Sequence, residues 1–229
     1  MPNLFFGKKE NNSIFLDKDE TNHLRVVRKN PGDTVEAITG DGFYYRCSIE
    51  KINKKDAVLL ITEKSEKEKE IFPKINIFVG NSKWERLRWI TEKAVELRAN
   101  SINIVNSEKS KFDFENTEKL KKVSVEALKQ TKYSVIPDIN VIDSYYQIKN
   151  TEKNFVFDFC TVKLTKKDFS ENIMNFNLIF GPESGFSDKE KKYFSENNFI
   201  TRSLGNTIMR FETAVIYVLS GINFYLERI

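Results

Sequence analysis

The sequence has few of the residues that build disulfide frameworks, metal sites and histidine-dependent catalysts. Its two cysteines, Cys47 and Cys160, lie far apart and form no CxxC pair, which indicates a reducing compartment and no zinc site. His23 is the only histidine, so a catalytic triad or a histidine-rich metal site would depend on one residue. We therefore predict a fold that needs no disulfide and a function that uses no metal.

Long apolar runs are also missing. No stretch approaches the roughly 20 apolar residues of a membrane span, and the N-terminus lacks the apolar core of a signal peptide. We therefore expect a cytoplasmic protein with no membrane partner. The net charge of +4 does not establish a nucleic-acid partner, because abundant lysines and glutamates mostly form solvated helix faces.

The first part of the chain is rich in short strands and turns. Apolar runs separated by turn residues predict five strands, at residues 4–6, 13–16, 34–38, 44–49 and 57–61. Together these strands predict a small β-barrel. Residues 63–70 carry charge without any apolar side chain, which indicates an exposed connection. We therefore predict two domains, residues 1–68 and residues 69–229.

Strands and helices alternate in the second predicted domain. Strands are predicted at 75–79, 102–105, 139–141, 154–157 and 176–180, and helices over 82–99 and 117–133. Such alternation predicts an α/β domain with a mostly parallel sheet and helices on both faces.

Two segments near the C-terminus, residues 181–187 and 203–214, each read as a tight turn between a strand and a helix. Gly181 and Gly185 would let the backbone approach a ligand, and Ser187 with Glu190 has the spacing of a capping box. Ligands of open α/β sheets bind beyond the carboxyl ends of strands, so both turns should frame one pocket. Such turns are also ordinary loop structures, but an arginine and a glutamate beside the apolar helix of residues 214–219 favour a functional site.

Together, these residues resemble the SPOUT class of RNA methyltransferases, and within it the RsmE-type family. The family signatures read roughly Gly-Pro-Glu-Gly-Gly-Phe-Ser and Leu-Gly-x-x-Ile-Leu-Arg-x-Glu-Thr-Ala. In this chain Ser184 stands at a glycine of the first signature, and Met209 and Phe211 replace a leucine and a threonine of the second. The resemblance covers nearly the whole chain.

The resemblance implies a SPOUT domain with a C-terminal trefoil knot, a homodimer, and S-adenosylmethionine as methyl donor. The implied reaction methylates N3 of a uridine in 16S ribosomal RNA, either naked or in the small ribosomal subunit. Arg210 would stabilise the charge that develops on a uracil oxygen as N3 loses its proton. Glu183 or Glu212 could accept that proton, and both could equally cap or orient helix N-termini.

The turn geometry and the resemblance together predict a set of cofactor-binding residues. They are Phe180, Gly181, Pro182, Glu183, Gly185, Leu204, Gly205, Ile208, Met209, Glu212, Thr213 and Ala214.

A basic segment in the N-terminal domain is the candidate RNA-binding element. Residues 21–29 predict a short helix whose Leu24 and Val27 face the barrel, which leaves His23, Arg25, Arg28 and Lys29 to meet phosphates. The RsmE-type family has a PUA-like RNA-binding domain with a similar segment followed by Pro-Gly-Asp, which is present here at residues 31–33. The lysines of the helix at 117–133 could contact an RNA backbone or only water.

Two other functions stay open on the sequence. A SPOUT enzyme of the same fold could methylate a ribose 2′-hydroxyl of RNA. A non-catalytic RNA-binding or ribosome-assembly protein could carry a decayed cofactor site, marked by Ser184 and by residues 130–133, which keep only the glutamine of a family Gln-Ser-Gly-Arg-like turn.

Overall fold

The computed structural model describes residues 4–150, 153–169 and 173–229. The chain forms two compact units. The first unit consists of the residues up to Glu70 together with Val125–Ile136, and the second consists of Ile71–Ser124 and Pro137–Ile229.

The first unit contains a six-stranded sheet in the order β1-β4-β5-β6-β3-β2. Its strands are β1 (Leu4–Phe6), β2 (Lys8–Glu10), β3 (Ser13–Leu16), β4 (Thr34–Ile38), β5 (Tyr44–Ile52) and β6 (Ala57–Lys64). Since β1 and β2 lie at opposite edges and yet only Gly7 separates them in the chain, the sheet must curl until its edges approach each other. This curled sheet encloses a core of buried side chains that includes Phe5, Leu24 and Leu59.

The strand prediction for the first unit is largely confirmed, but β2 was missed, and β5 and β6 end later than predicted, at Ile52 and Lys64. β2 was missed because its residues Lys8–Glu10 are all exposed and charged or polar, so they carry no apolar alternation. β6 continues to Lys64, into the charged run that was predicted to be a connection. Its last side chains are exposed, and a strand whose side chains all face water has no hydrophobic signature.

Residues 125–136 join the first unit through backbone and ionic contacts. Asp41 and Val135 form an antiparallel bridge, and the Gly42 N–H donates to the Ser134 carbonyl at 3.0 Å. The Lys129 ammonium donates to Glu20 Oε1 at 2.7 Å, and both residues are 7% exposed. Burial opposes the charge on Lys129, but the hydrogen bonds and negative charges of Glu20 and Glu126 together outweigh it and raise the pKa of this lysine. Lys129 is therefore an internal ion-pair partner and not one of the outward-facing lysines of its helix.

The second unit contains a six-stranded sheet in the order β12-β10-β11-β7-β8-β9, and every pairing in it is parallel. Its strands are β7 (Lys74–Gly80), β8 (Ser101–Val105), β9 (Asp138–Ile142), β10 (Lys153–Phe157), β11 (Asn175–Phe180) and β12 (Ile200–Arg202). The predicted parallel sheet is confirmed.

Among the described residues, the α-helices are α1 (Lys18–Val26), α2 (Trp84–Glu96), α3 (Thr117–Thr131), α4 (Asp188–Glu196) and α5 (Phe211–Tyr225). α1 begins before the predicted residue 21, because the Asp17 side chain caps it by accepting from the Glu20 N–H at 2.9 Å. The helix ends before Arg28 and Lys29, so these two predicted RNA contacts lie beyond it. α2 ends at Glu96 and not at 99, since Arg98 adopts the left-handed conformation with φ 54°.

A chain of hydrogen-bonded polar side chains crosses five strands of the parallel sheet. We call Asn154, Asn177, Asn76, Asn103 and Asn140, from five adjacent strands, the asparagine ladder. Asn177 Nδ2 donates to Asn154 Oδ1 at 2.8 Å, and Asn76 Nδ2 donates to Asn177 Oδ1 at 3.2 Å. Ser101 connects Asn76 to Asn103, and Asn140 Nδ2 donates to Asn103 Oδ1 at 3.0 Å.

Within residues 4–150, 153–169 and 173–229, no helix is both long enough and apolar enough to cross a membrane.

Candidate active site

Three parallel strands of the second unit bring their carboxyl ends to one edge of the sheet. β10 pairs with both β11 and β12, so that Phe157 lies opposite Phe180 on one side and Arg202 on the other. The loops that follow all three strands therefore leave from one place. β10 lies between β11 and β12 and adds a third loop to the two turns that were predicted to frame the pocket.

These loops enclose a cavity of about 370 Å³. The residues that line it are Lys109, Phe157, Asp158, Phe159, Phe180, Gly181, Pro182, Glu183, Ser184, Gly185, Phe186, Lys191, Ser203, Leu204, Gly205, Thr207, Ile208, Met209, Phe211 and Ala214. The two turns read from the sequence thus share one cavity.

Most of the residues predicted to bind the cofactor line this cavity. They are Phe180, Gly181, Pro182, Glu183, Gly185, Leu204, Gly205, Ile208, Met209 and Ala214. Glu212, Thr213 and the predicted catalytic Arg210 do not line it. Glu212 is buried in the first turn of α5, Thr213 is exposed, and Arg210 is an exposed residue at the N-cap of α5, between Met209 and Phe211.

The turn after β11 is fixed by its backbone and by a neighbouring strand. The Gly185 N–H donates to the Pro182 carbonyl at 2.8 Å, and Gly185 has φ 72°, a conformation that favours glycine. Gly80, at the end of β7, lies directly against Pro182: a Cβ atom there would lie 2.4 Å from the Pro182 nitrogen. Gly80 was not among the predicted residues, because its role depends on a strand distant in sequence.

Ser184 leaves the cavity open although it lies on the wall. Its hydroxyl donates to the Lys109 carbonyl at 2.6 Å, and the side chain is exposed. The serine that replaces a family glycine is therefore turned towards the loop after β8.

The predicted capping box of α4 is confirmed and extends further than predicted. Ser187 Oγ accepts from the Glu190 N–H at 3.0 Å, and Glu190 Oε2 accepts from the Ser187 N–H at 2.7 Å. The other oxygen of Glu190 accepts from Ser107 Oγ at 2.8 Å and from the Glu108 N–H at 3.0 Å. Glu190 is 1% exposed, and these donors compensate for burial of its charge. The carboxylate thereby ties the loop after β8, which supplies Lys109, to the start of α4.

A buried tyrosine holds the end of β11. Tyr145 donates its hydroxyl proton to the Phe180 carbonyl at 2.7 Å. Burial, together with the charge of Glu190, raises the pKa of Tyr145 well above its usual value, so the phenol stays protonated and remains a donor. Sequence reasoning missed Tyr145 because it lies outside the strands and turns that carry the motifs.

The carboxylates around the cavity are each held by a cation. Glu183 Oε1 accepts from Ser82 Oγ at 2.8 Å and lies 2.6 Å from Arg86 Nη1. Glu212 Oε2 lies 3.8 Å from Arg86 Nε. Arg86 is therefore shared by two carboxylates of this part of the site. Arg86 was not among the predicted site residues.

Asp158 and Lys191 form a second ion pair on the cavity wall, with 2.8 Å between Oδ2 and Nζ. Both were missed by the sequence analysis. The available signal was that Asp158 is the first residue after a buried strand, which is where ligands of parallel sheets bind.

The chain matches two models of RNA methyltransferase domains. Residues 67–223 match an RNA methyltransferase domain, and residues 16–62 match an RNA methyltransferase PUA domain. The first match covers more than half of the chain. This protein belongs to the RNA methyltransferase family. The resemblance predicted from residues 181–187 and 203–214 is thus confirmed.

Relatives of this RNA methyltransferase carry a consistent name. A ribosomal RNA small subunit methyltransferase E from Bacillus subtilis (strain 168) is 28% identical over 91% of this chain and 89% of its own. Ribosomal RNA small subunit methyltransferase E 2 from Borreliella burgdorferi is 28% identical over 93% of this chain and 92% of its own.

Solved structures share the fold. A predicted RNA methyltransferase from Thermotoga maritima has a TM-score of 0.84 at 32% identity and covers 100% of both chains. A ribosomal RNA small subunit methyltransferase E from Neisseria gonorrhoeae, bound to S-adenosyl methionine, has a TM-score of 0.83 at 20% identity over 98% of both chains. The mixed α/β fold with a curled N-terminal sheet and a parallel sheet is therefore that of these proteins.

The predicted RNA-binding residues of this RNA methyltransferase lie in the first unit, in different surroundings. His23 packs against the Phe5 ring, with 4.9 Å between ring centroids. Arg25 is exposed and donates to Asn22 and to the Asn53 carbonyl. As predicted, Leu24 and Val27 pack against the core of the curled sheet.

Arg28 and Lys29 follow the end of α1. Arg28 is exposed with φ 57°, and Lys29 Nζ donates to the Thr34 carbonyl at 3.4 Å. Within the described part of the chain, no group of three or more His, Cys, Asp or Glu side chains could hold a metal ion.

Proposed function

We propose that this protein transfers a methyl group from S-adenosylmethionine to N3 of a uridine in small-subunit (16S) ribosomal RNA. The observation that carries the proposal is the single cavity beyond β10, β11 and β12, which is lined by both signature turns. Relatives named ribosomal RNA small subunit methyltransferase E, at 28% identity over most of both chains, support the choice of substrate.

The cavity fits an adenosyl group. Its volume of about 370 Å³ is within the range of small-molecule sites, and Phe180, Leu204, Ile208 and Met209 give it apolar walls. The backbone around Gly181 and Gly205 would hold the adenosine. When bound, S-adenosylmethionine supplies an electrophilic methyl group on a sulfonium.

The remaining task of the protein is to align the uracil and stabilise its charge. N3 must lose a proton to become nucleophilic, and Arg210 would face the developing charge on a uracil oxygen. Its place at the N-cap of α5, between Met209 and Phe211 of the cavity wall, supports that role. Glu183 remains a candidate proton acceptor, because it lines the cavity.

The two predicted domains would have different tasks, RNA binding and methyl transfer. Residues 1–68 would hold RNA through Arg25, Arg28 and Lys29, with His23 supporting the helix from beneath, and residues 69–229 would carry out methyl transfer. The exposure of Arg25 and Arg28 supports their contact with phosphates. Residues 16–62 also match the RNA methyltransferase PUA domain.

The functional form would be a homodimer whose C-terminal segment forms a trefoil knot, acting in the cytoplasm on the small ribosomal subunit or its RNA. Support for the dimer comes from apolar side chains that face solvent. Tyr217 and Phe224, seven residues apart on α5, are 53% and 88% exposed, and Phe159 and Ile208 of the cavity wall are 70% and 82% exposed. Sedimentation of the full chain would show a dimer.

Arg210→Ala tests the proposed reaction. We expect the turnover of uridine methylation in small-subunit RNA to fall by about 100-fold or more, because one stabilising donor is lost. The affinity for S-adenosylmethionine, measured by calorimetry, should stay within about threefold of the original value. Arg88→Ala, which replaces another exposed arginine, is the control and should leave turnover unchanged.

The site of methylation separates the alternatives. Mass spectrometry of nucleosides from digested RNA should show 3-methyluridine. A methyl group on a ribose 2′-hydroxyl would favour the other SPOUT reaction. If the unmodified protein does not bind S-adenosylmethionine even at millimolar concentration, the non-catalytic alternative is correct. Normal turnover by Arg210→Ala would remove Arg210 from the mechanism.

A further inference from the structure

Arg86 of α2 connects the two loops that carry the signature residues. Its Nη1 lies 2.6 Å from Glu183 Oε1, on the turn after β11, and its Nε lies 3.8 Å from Glu212 Oε2, in the first turn of α5. Arg86 does not itself line the cavity. One guanidinium thus contacts a carboxylate from each of the two signature segments without lining the cavity.

Burial makes this contact important. Glu212 is 7% exposed, and its Oε2 accepts no hydrogen bond within residues 4–150, 153–169 and 173–229. A buried carboxylate is costly unless a positive charge compensates it, and the guanidinium of Arg86 is the cation that contacts Glu212 within the described ranges. Ser82, in the loop just before α2, donates a hydrogen bond to Glu183, so that carboxylate is held both by α2 and by the loop that precedes it.

We propose that Arg86 is a positioning residue for methyl transfer. Its planar fork keeps the turn of residues 181–185 and the start of α5 in the arrangement that forms the adenosyl cavity. This inference rests on the proposed function and adds a residue of α2 to a site lined mainly by the loops after β10, β11 and β12.

The test measures how the affinity for S-adenosylmethionine and for its product, S-adenosylhomocysteine, depends on Arg86. In Arg86→Met, both affinities should fall about 10-fold or more in calorimetry, because both ligands carry the same adenosine. The KM for S-adenosylmethionine should rise more than kcat falls. Arg86→Lys keeps one charge but cannot fork between two carboxylates, so its affinity should lie between that of Arg86→Met and that of the original protein.

The comparison of two ligands separates positioning from simple electrostatics. Removing Arg86 leaves more negative charge near the cavity, which would attract the cationic sulfonium and not the neutral thioether. A variant that binds S-adenosylmethionine more tightly, or binds both ligands as before, would overturn the proposal. Arg88→Met, two residues along the same helix, is the matched control and should not change either affinity.

Two further variants keep the proposal testable if Arg86→Met is too unstable to fold. If thermal melting shows that Arg86→Met does not fold, Arg86→Lys and Glu212→Gln are measured instead. Each variant should bind both ligands about threefold or more weakly. If both variants bind the ligands with unchanged affinity, the proposal is overturned. The two ideas fail differently. An original protein that does not bind S-adenosylmethionine contradicts the proposed function, whereas normal binding by the folded Arg86 variants contradicts only the positioning role.

Discussion

Single side chains decide whether the cavity can accept an adenosyl group. Ser184 replaces a glycine of the family signature, and a serine pointing inward would crowd the cofactor. In the structure its hydroxyl instead donates to the Lys109 carbonyl at 2.6 Å. The side chain therefore belongs to the contact between two loops, and the cavity is open.

Ser184→Gly should leave cofactor binding almost unchanged. We expect the calorimetric affinity for S-adenosylmethionine to stay within about twofold, and the free energy of unfolding to fall by about 0.5–1.5 kcal/mol through loss of one hydrogen bond. Urea unfolding measures the second quantity. An affinity that improves tenfold in the glycine variant would show that the serine obstructs the site.

Local sequence determines the capping residues well and the supporting residues poorly. The capping box of Ser187 and Glu190 was predictable because both partners lie within one helical turn. The bonds from Ser107 and Glu108 to the same Glu190 join residues more than 80 positions apart, and no local pattern encodes them. Arg86 was overlooked for the same reason, since its charge looks like part of a solvated helix face.

Among the elements, the asparagine ladder sets the register of the parallel sheet. Asn177, on one of the central strands of the sheet, is 2% exposed. Its side chain forms hydrogen bonds with Asn154, Asn76 and the Lys149 carbonyl. In a parallel sheet a register shift would break these bonds together, because the amide side chains face each other across strands. The ladder thereby also fixes where the strands end, and so where the cavity loops begin.

Asn177→Leu should destabilise the fold although it places an apolar residue in a buried position. The change removes a hydrogen-bond partner from buried Asn154, from half-buried Asn76 and from the Lys149 carbonyl, which costs about 1–3 kcal/mol. The free energy of unfolding is measured by urea denaturation, and its slope against urea concentration should stay unchanged.

Asn175→Leu, in the same strand, is the control, because Asn175 is only partly buried. It should change stability by less than about 0.5 kcal/mol. If Asn177→Leu is as stable as the original protein, the ladder does not contribute to stability.

Strand and helix identity could be predicted, whereas their order in the sheet could not. Apolar runs typical of buried strands alternate along the sequence with amphipathic stretches typical of helices, and this local pattern predicts a parallel sheet. The placement of β10 between β11 and β12 depends on pairing between strands distant in sequence, which is why Asp158 was absent from the predicted site. The end of α2 was missed because its apolar spacing continues to Leu97, while the backbone leaves the helix at Arg98 with φ 54°.

For the whole molecule, the two compact units do not correspond to two continuous pieces of sequence. The predicted division into residues 1–68 and 69–229 followed a charged run, which marks an exposed connection in the chain. The structure adds Val125–Ile136 to the first unit. Composition gives no sign of this return, because the second half of α3 looks like an ordinary amphipathic helix.

The return of residues 125–136 predicts how a fragment would behave. A fragment of residues 1–70 loses the Lys129 partner of Glu20 and the backbone bonds that Gly40 and Gly42 make with residues 134–136. Glu20 is 7% exposed in the full chain, and a buried carboxylate without its cation is strongly unfavourable. We therefore expect the fragment to be far less stable than the same residues within the full chain, with a lower melting temperature in circular dichroism.

The contribution of the Glu20–Lys129 ion pair can be isolated by making one substitution both in that fragment and in the full chain. Glu20→Gln removes the charge and keeps an oxygen that can accept from the Phe6 N–H, now bonded to Glu20 Oε2 at 3.2 Å. This change should raise the melting temperature of the fragment. In the full chain the same change should lower it, because buried Lys129 would lose the carboxylate at 2.7 Å and keep only that of the more exposed Glu126 at 3.2 Å. Opposite signs in the two backgrounds are the expected result, and an equal effect in both would show that residues 125–136 do not stabilise the first unit through this pair.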